Sequence, residues 1–465
     1  MKRKAALPIL FSVCFVSLLA LISPYSCSKK DPAPLPKTKK ETRYTTVDYF
    51  DVDCSRTIKI NDAVYTYVNG NIKWVHELYL NKNYTSVQNF ASELLKNQDE
   101  DNSGNLASLY AGLGKITDDR HIALMHSVLN EWCDKEPNSH IPFTVRGLFY
   151  INWAWSIRGT GYAKDVPEDA WPAFYGKLEL AKKDLDRSFA LNPNDPNSSR
   201  LSMLVARGMG YPEEVKEQYY QNGVKACPWH LGLHVERLQN LMPKWGGSLE
   251  EMFKFANVCL KQSERYPFLG LIMADAYYEQ WQELEGKEEI LARKEVWEEI
   301  ESIYTNVLNK YPDGVGLRLS YARMAFVADR NDIALQQLEI VGDRWTDGTE
   351  WRTLESYNSS RAHIYYRGGY DLLSKKKCKE SIDHLLTSIR CKPTVNAYYA
   401  LGEAYFMLSG NPPRDTAMLS KAEEAYEKAL AMAPDNKRIE RAVRMTKGLI
   451  EIRSKGEQAK GQGHP

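Results

Sequence analysis

Apolar residues recur at intervals of three and four positions through most of the chain after about residue 74. This spacing is typical of helices that bury one face. Runs of β-branched residues are few, and Asn, Pro and Gly interrupt the periodic stretches at helix-length intervals. The pattern therefore predicts an all-α chain of consecutive helices.

The segment 396–434 contains two adjacent periodic stretches with a specific arrangement of small and large residues. Gly402 and Ala422 are small enough to let two helices approach closely, and Pro434 ends the second helix because it has no N–H to donate. The large residues expected to fill the space between the helices are Tyr398, Leu401, Tyr405 and Tyr426. This arrangement resembles the tetratricopeptide repeat (TPR), apart from an inserted loop between the helices.

The spacing of the second helix recurs in other parts of the chain. The matching sets are Ala181, Leu185, Ser188, Pro193; Ser381, Leu385, Ser388, Pro393; Met125, Leu129, Trp132, Pro137; Lys216, Tyr220, Gly223, Pro228; and Ile300, Tyr304, Val307, Pro312. Ala322, Ala334 and Leu338 keep the spacing between the two helices of a repeat. The sequence thus predicts a TPR-like α-solenoid of about seven irregular hairpins, which bury their apolar faces by stacking.

The first residues have the layout of an export signal. A basic start is followed by the apolar stretch 5–22 and then by a small residue and Cys27. This resembles a bacterial lipoprotein signal, and "CSKKD" resembles Bacteroidetes lipoproteins, although Pro24 departs from the usual pattern. We expect a signal peptide at 1–27, lipidation of Cys27 and a flexible tether at 28–43. The expected location is the outer membrane, on its periplasmic or surface face; ordinary export or a retained anchor is the alternative.

The motif "PKWGGS" at 243–248 separates two helical stretches and has a structural and a functional interpretation. In the first, Gly246 and Gly247 permit a left-handed exit from one helix. Ser248 and Glu251 then form a capping box for the next helix. In the second interpretation, Lys244 and Trp245 are the centre of a binding surface.

The same motif, with "NYTSVQNFASELLKNQDEDNSGNLASLYAGL", "INWAWSIRGTGYAKDV" and "CPWHLGLHVERLQNLMPKWGGS", resembles a bacterial TPR-like family, the domain of unknown function numbered 4034. The resemblance covers about 74–270, and we expect TPR-like repeats at 271–455 and a disordered tail at 456–465. Residues 44–73 are left open between a hairpin and a helix that begins at Asn71. The family implies a helical-repeat fold and no known activity.

The net charge and a few candidate binding residues reduce the number of functions that the sequence allows. Lys and Arg (61) nearly equal Asp and Glu (60), and the net charge of +1 disfavours nucleic-acid binding. His230 and His234 share a helix face and are weak metal candidates, with helix packing as the favoured role. An Arg–aromatic cluster is a candidate recognition site; its members are Trp153, Trp155, Arg158 and Tyr162.

Three functions remain in competition. The leading hypothesis is a non-catalytic lipoprotein that binds a protein or peptide. The second is a lipoprotein that binds a glycan or small ligand, as surface receptors of the SusD type do, and the third is an enzyme of unrecognised type. The sequence identifies no catalytic residue and no cofactor.

Overall fold

The computed structural model describes residues 55–60, 63–68, 72–98, 103–115, 121–159, 161, 163–284, 289–345, 354–413 and 415–461. Cys27, the predicted signal and tether, and Tyr162 lie outside these residues. Contacts divide the chain into two compact units. Unit 1 is mainly Tyr67–Ser320, and unit 2 is mainly Tyr321–Trp345 and Thr353–Pro465.

Unit 1 is built from consecutive helices with short connections. Its helices are α1 (Ile72–Tyr79), α2 (Tyr84–Lys96), α3 (Ser103–Gly114), α4 (Ile122–Lys135), α5 (His140–Arg158), α6 (Ala170–Leu191), α7 (Pro196–Gly208), α8 (Glu213–Ala226), α9 (Leu231–Asn240), α10 (Leu249–Gln262), α11 (Leu271–Glu283) and α12 (Lys294–Lys310). Single 3₁₀ turns occur at Ala163–Asp165, Pro243–Trp245, Pro267–Gly270 and Ile290–Ala292. Helix α13 (Val315–Val327) contains the boundary between the units.

Unit 2 continues the helical pattern. Its helices are α14 (Asn331–Val341), α15 (Leu354–Ser374), α16 (Cys378–Cys391), α17 (Val395–Leu408), α18 (Thr416–Met432) and α19 (Lys437–Gly461). A small three-stranded sheet in the order β1–β2–β3 falls largely within this unit. Its strands are β1 (Ser55–Ile60), β2 (Ala63–Val68) and β3 (Arg344–Trp345). The segment 44–73, which the sequence left open, therefore contains two strands followed by the start of α1.

A proline follows the second helix in six of the hairpins that the sequence identified by their spacing; in the hairpin with Ala334 and Leu338, Gly342 follows the second helix instead. Helices α4, α6, α8, α12, α16 and α18 each end two residues before a proline; these are Pro137, Pro193, Pro228, Pro312, Pro393 and Pro434. The ring of a proline disfavours helical geometry in the residue before it, so the helix ends there or earlier.

Close helix pairing rests on glycines of the first helix that face large side chains of the second. A Cβ on Gly402 would lie 2.5 Å from the Tyr426 ring, next to Ala422 on the same helix, α18. Gly147 and Gly369 contact Leu185 and Leu385 in the same way. The equivalent contacts in three hairpins confirm the predicted TPR-like α-solenoid fold.

Each unit has its own apolar clusters. The large cluster in unit 1 includes the fully buried Trp132, Tyr110 and Phe174. Unit 2 has a cluster around Leu385 and Leu401 and another around Tyr426. Among the described residues, we find no helix with both the length and the apolar character needed to cross a membrane.

Candidate functional site

An open groove of about 380 Å³ lies among helices α15, α17, α18 and α19 of unit 2. Its lining is mostly aromatic and aliphatic, with one carboxylate. The lining residues are Tyr370, Leu373, Ser374, Tyr399, Glu403, Phe406, Met407, Tyr426, Ala442 and Met445. Sites that bind ligands are typically concave and apolar with few polar groups, and this groove has that composition.

The groove has a buried floor and an exposed apolar rim. Leu373, Tyr426 and Ala442 are buried, and they also belong to the apolar clusters of the unit. At the rim, Tyr370, Met407 and Met445 expose 52%, 41% and 48% of their surface. Large side chains that leave this much apolar surface in water around one concavity are typical of an interaction site.

The sequence builds this groove because α17 carries two apolar faces. Ala400, Leu401 and Ala404 point into the hairpin core. Tyr399, Glu403, Phe406 and Met407 follow one another at steps of four, three and one residues, which places them along another face of the same helix. Tyr399 and Phe406 on this second face also pack against the cluster around Tyr426, while Met407 leaves 41% of its surface exposed at the groove.

The charged residues at the groove form a small cation–aromatic arrangement. The Arg438 guanidinium lies 4.7 Å from the centre of the Tyr399 ring, and its Nε donates to the Tyr399 hydroxyl at 3.0 Å. Its Nη2 lies 3.4 Å from Glu403 Oε1. Burial, followed by the Glu403 charge, raises the pKa of Tyr399. The hydrogen bond to Tyr399 raises the pKa of Arg438. Tyr399 and Glu403 thus create a position that favours a cation.

The recognition cluster predicted in unit 1 is assembled only in part. The rings of Trp155 and Trp245 meet edge to face at 6.0 Å. The Arg158 guanidinium lies 5.2 Å from the Trp155 ring and 5.7 Å from Trp171, while that of Arg207 lies 5.4 Å from Trp245. Burial lowers the pKa of Arg158. The structure therefore joins Trp155, Arg158 and Trp245, which the sequence had placed in two separate candidate sites.

Trp153 does not belong to this cluster. It packs on Phe149 and His126, and the Lys177 ammonium lies 3.4 Å from its ring centre. Residues at i and i+2 on a helix point in different directions, which separates Trp153 from Trp155.

Lys244 is tied to the interior of unit 1. Its ammonium lies 2.8 Å from a carboxylate oxygen of Glu279, and Glu279 is almost completely buried on α11. Without Lys244, the buried Glu279 carboxylate would lose this counter-charge, which would lower the stability of the fold. Lys244 therefore has a structural contact in unit 1 that a freely exposed binding residue would lack.

The two glycines of the corner at 243–248 are required for different structural reasons. Gly246 has a φ of +91° and ends the 3₁₀ turn in the left-handed region, which favours glycine. Gly247 is constrained differently: a Cβ there would lie 2.1 Å from the Leu241 carbonyl oxygen. Ser248 accepts from the Glu251 N–H at 3.2 Å and donates to the Glu251 carboxylate at 2.8 Å.

Charges are buried between α7 and α9 in a way that the sequence did not indicate. Glu236 is 1% exposed and lies 3.0 Å from Arg207 and 3.8 Å from Arg200, which is itself 1% exposed. Arg207 also donates to Asn240 at 3.3 Å. Burial raises the pKa of Glu236, and the two arginines oppose that change. Removing one partner of such a buried ion pair leaves the other charge in the interior without its counter-charge, which is strongly destabilising.

His230 and His234 have structural contacts. His230 Nδ1 accepts from the Leu233 N–H at 3.2 Å and so caps α9. His234 lies 3.0 Å from the Tyr220 hydroxyl and 2.8 Å from the Pro228 carbonyl oxygen. Burial lowers the pKa of His230 to about 3 and that of His234 to about 4, so both are neutral near pH 7.

Cysteines and other metal-binding groups form no obvious site in the part of the chain that the structure describes. No group of three His, Cys, Asp or Glu residues that could hold a metal ion occurs there. The five cysteines described are free and buried; they are Cys133, Cys227, Cys259, Cys378 and Cys391. Cys259 Sγ lies 3.7 Å from His234 Nδ1, but burial raises the pKa of this thiol to about 12, which makes it a poor nucleophile.

Sequence reasoning did not identify the groove of unit 2. Its rim residues come from three helices that are far apart in sequence, and no short motif joins them. One signal was available: an aromatic or methionine side chain beyond the core-facing positions of α15, α17 and α19, as at Tyr370, Met407 and Met445. Such residues are superfluous for the hairpin and are exposed in the structure.

No family model matches the chain, and no curated protein matches it. Among solved structures, it is similar to the crystal structure of yeast Tom70, at 10% sequence identity and a TM-score of 0.24, over 82% of this chain and 88% of that chain. A TM-score this low supports no inference about fold or function. The fold assignment therefore rests on the repeated hairpins of the chain itself.

Proposed function

We propose that this chain is a non-catalytic scaffold of the cell envelope that binds a segment of another protein in the groove of unit 2. The exposed apolar rim formed by Tyr370, Met407 and Met445 is the observation that carries this proposal. Helical-repeat proteins commonly bind partners on extended concave surfaces, and burying these side chains would add a favourable hydrophobic contribution to binding.

The envelope location is part of the proposal and rests on the sequence. The proposed anchor is lipid on Cys27, and residues 28–43 would hold the helical units away from the membrane surface. Lipidation predicts that Cys27→Ala leaves the precursor unprocessed or releases the protein from membranes. Unchanged processing and membrane retention in this variant would contradict the lipoprotein assignment. The resemblance to the domain of unknown function numbered 4034 and to Bacteroidetes lipoproteins belongs to the same proposal.

A glycan is the second candidate ligand, because aromatic rings stack on sugars and Tyr370 presents an exposed ring in the groove. The two methionines of the rim favour the protein ligand, since flexible apolar side chains suit the irregular surface of a peptide. An enzyme is the third candidate; the carboxylate of the groove lining, Glu403, is paired with Arg438.

The proposal is tested by purifying the tagged full-length protein from native membranes and identifying what accompanies it by mass spectrometry. Met407→Asp places a charge in the groove, and Met432→Asp is the matched control, because Met432 is 47% exposed but does not line the groove. We expect one or more proteins that accompany the wild type and Met432→Asp to be absent with Met407→Asp.

Identical sets of accompanying proteins in all three samples would contradict protein binding at the groove. Loss of a bound oligosaccharide only with Met407→Asp would instead favour the glycan.

A further inference from the structure

We infer that the segment bound in the groove of unit 2 is apolar and carries a basic side chain, which contacts Tyr399 and Glu403. This inference rests on the proposed function and adds the chemistry of the ligand. Glu403 is the charged member of the groove lining, and it stands among Tyr370, Tyr399 and Phe406.

Charge complementarity selects a cation at this position. The face of an aromatic ring is electron-rich, and a carboxylate beside it adds a full negative charge. The Glu403 side chain is 29% exposed, so it remains accessible from the groove while water screens it less than it screens a free surface charge. An acidic segment would meet repulsion from Glu403 in the same place.

Arg438 of the chain itself marks where a ligand cation would lie. Its guanidinium covers the Tyr399 ring and approaches Glu403, yet its side chain is 75% exposed. Such a weakly held surface pair gains little, since it is solvated and costs side-chain entropy. A bound lysine or arginine, supported by apolar contacts with Met407 and Met445, can therefore displace Arg438 from the ring and the carboxylate.

This arrangement makes Arg438 an internal competitor of the ligand. Its removal exposes both Tyr399 and Glu403, so binding of a basic segment should become tighter. Removal of the Glu403 charge should have the opposite effect on a basic segment and little effect on a neutral one. These two variants separate a cation-selective groove from a groove that binds any apolar segment.

The test uses three fluorescein-labelled helical peptides of the same Ala- and Leu-rich sequence, with Lys, Gln or Glu at the central position. Their affinity for the processed wild-type protein, solubilised in detergent, is measured by fluorescence anisotropy at constant salt. We expect the Lys peptide to bind roughly three- to tenfold more tightly than the Gln peptide, and the Glu peptide more weakly than either.

Glu403→Gln should remove the advantage of the Lys peptide, and Arg438→Ala should increase it. The matched controls are Glu424→Gln and Arg444→Ala, which change exposed charges on α18 and α19 outside the groove lining; both should leave the three affinities unchanged.

Three equal affinities that are all lost with Met407→Asp would overturn the cation preference and leave the proposed groove in place. If no peptide binds and Met407→Asp does not alter the proteins that co-purify from membranes, both the cation preference and the groove as a binding site are overturned. Tighter binding of the Glu peptide would overturn the charge assignment directly.

Discussion

Unit 1 and unit 2 each bring arginines to aromatic rings, but the two arrangements are placed differently. In unit 1, Trp155 and Trp245 contact each other, and the guanidiniums of Arg158 and Arg207 lie over their rings. In unit 2, Arg438 lies over Tyr399, while the neighbouring Tyr370 and Met407 remain exposed. An Arg–aromatic cluster therefore does not by itself indicate a binding site; the exposed apolar side chains beside Tyr399 distinguish the groove of unit 2.

The carboxylates of the two units also differ in how far the chain buries them. Glu236 of unit 1 is buried between Arg200 and Arg207, whereas Glu403 of unit 2 lines a groove and interacts with the exposed Arg438 and with the Tyr399 side chain. We expect substitutions in the unit 1 network to change stability and substitutions in the unit 2 groove to change binding.

The largest effect is expected for Glu236→Ala. It leaves Arg207 and Arg200 buried without their carboxylate, and breaking a buried ion pair typically costs about 3–5 kcal/mol of unfolding free energy. Glu403→Ala is the comparison in unit 2 and should cost about 0–1 kcal/mol. Urea unfolding of both variants measures the difference, and equal costs would remove the distinction between the two carboxylates.

Lys244→Ala should lower the free energy of unfolding by about 1.5–3 kcal/mol, because it removes a charge-assisted contact with the buried Glu279. If Lys244 were only a binding residue, as the second interpretation of the corner has it, this substitution would leave stability nearly unchanged. The ion pair reverses that expectation. Lys254→Ala, at an exposed position of α10, is the control and should change stability by less than about 0.5 kcal/mol. A Lys244→Ala variant as stable as this control would show that the ion pair is not formed in solution.

His230 should make stability depend on pH. Its pKa is lowered to about 3 in the folded protein by burial and by Arg200, whereas an unfolded histidine titrates near 6.5. Below pH 6.5, the unfolded chain gains a proton that folded His230 does not accept. The contribution of neutral, buried His230 to the free energy of unfolding is therefore complete above pH 6.5. It is lost as the pH falls towards 3, by about 2 kcal/mol at pH 5.

His230→Asn keeps an oxygen that can cap α9 and removes the titrating group. Unfolding free energies at pH 7 and pH 5 should therefore differ less in this variant than in the wild type. An identical pH dependence of the two proteins would show that His230 does not titrate as the structure indicates.

The smallest effect belongs to the corner. Ser248→Ala removes the oxygen that accepts from the Glu251 N–H, and loss of such a cap costs about 0.5–2 kcal/mol. Ser248→Thr retains a hydroxyl and should restore most of the stability. If stability is unchanged by Ser248→Ala while partner binding is lost, the corner is a recognition surface.

The sequence was sufficient for the fold because the information there is local. Helical periodicity, the pairing of Gly402 with Tyr426 and the prolines that follow the helices all act within a few tens of residues. The ion pairs of Glu236 and Glu279 were not predictable in this way, since a single carboxylate on a helix has the same sequence signature whether it is buried or solvated.

The candidate site shows the same limit. The sequence pointed to Trp155 and Arg158 in one candidate site and to Trp245 in another, but only tertiary packing decides that these groups contact one another. The groove was missed because Tyr370, Met407 and Met445 lie on three separate helices, and their importance depends on the exposed position that packing gives each of them.

Hydrogen–deuterium exchange of the full processed protein, with and without a saturating amount of the Lys-containing peptide, tests the central comparison most directly. We expect slower amide exchange in α15, α17 and α19 around Tyr370, Met407 and Met445, and no change around Trp155 or at 243–248. Protection at Trp155 and 243–248 with none around the groove would contradict it, because the aromatic cluster of unit 1 would then be the binding surface.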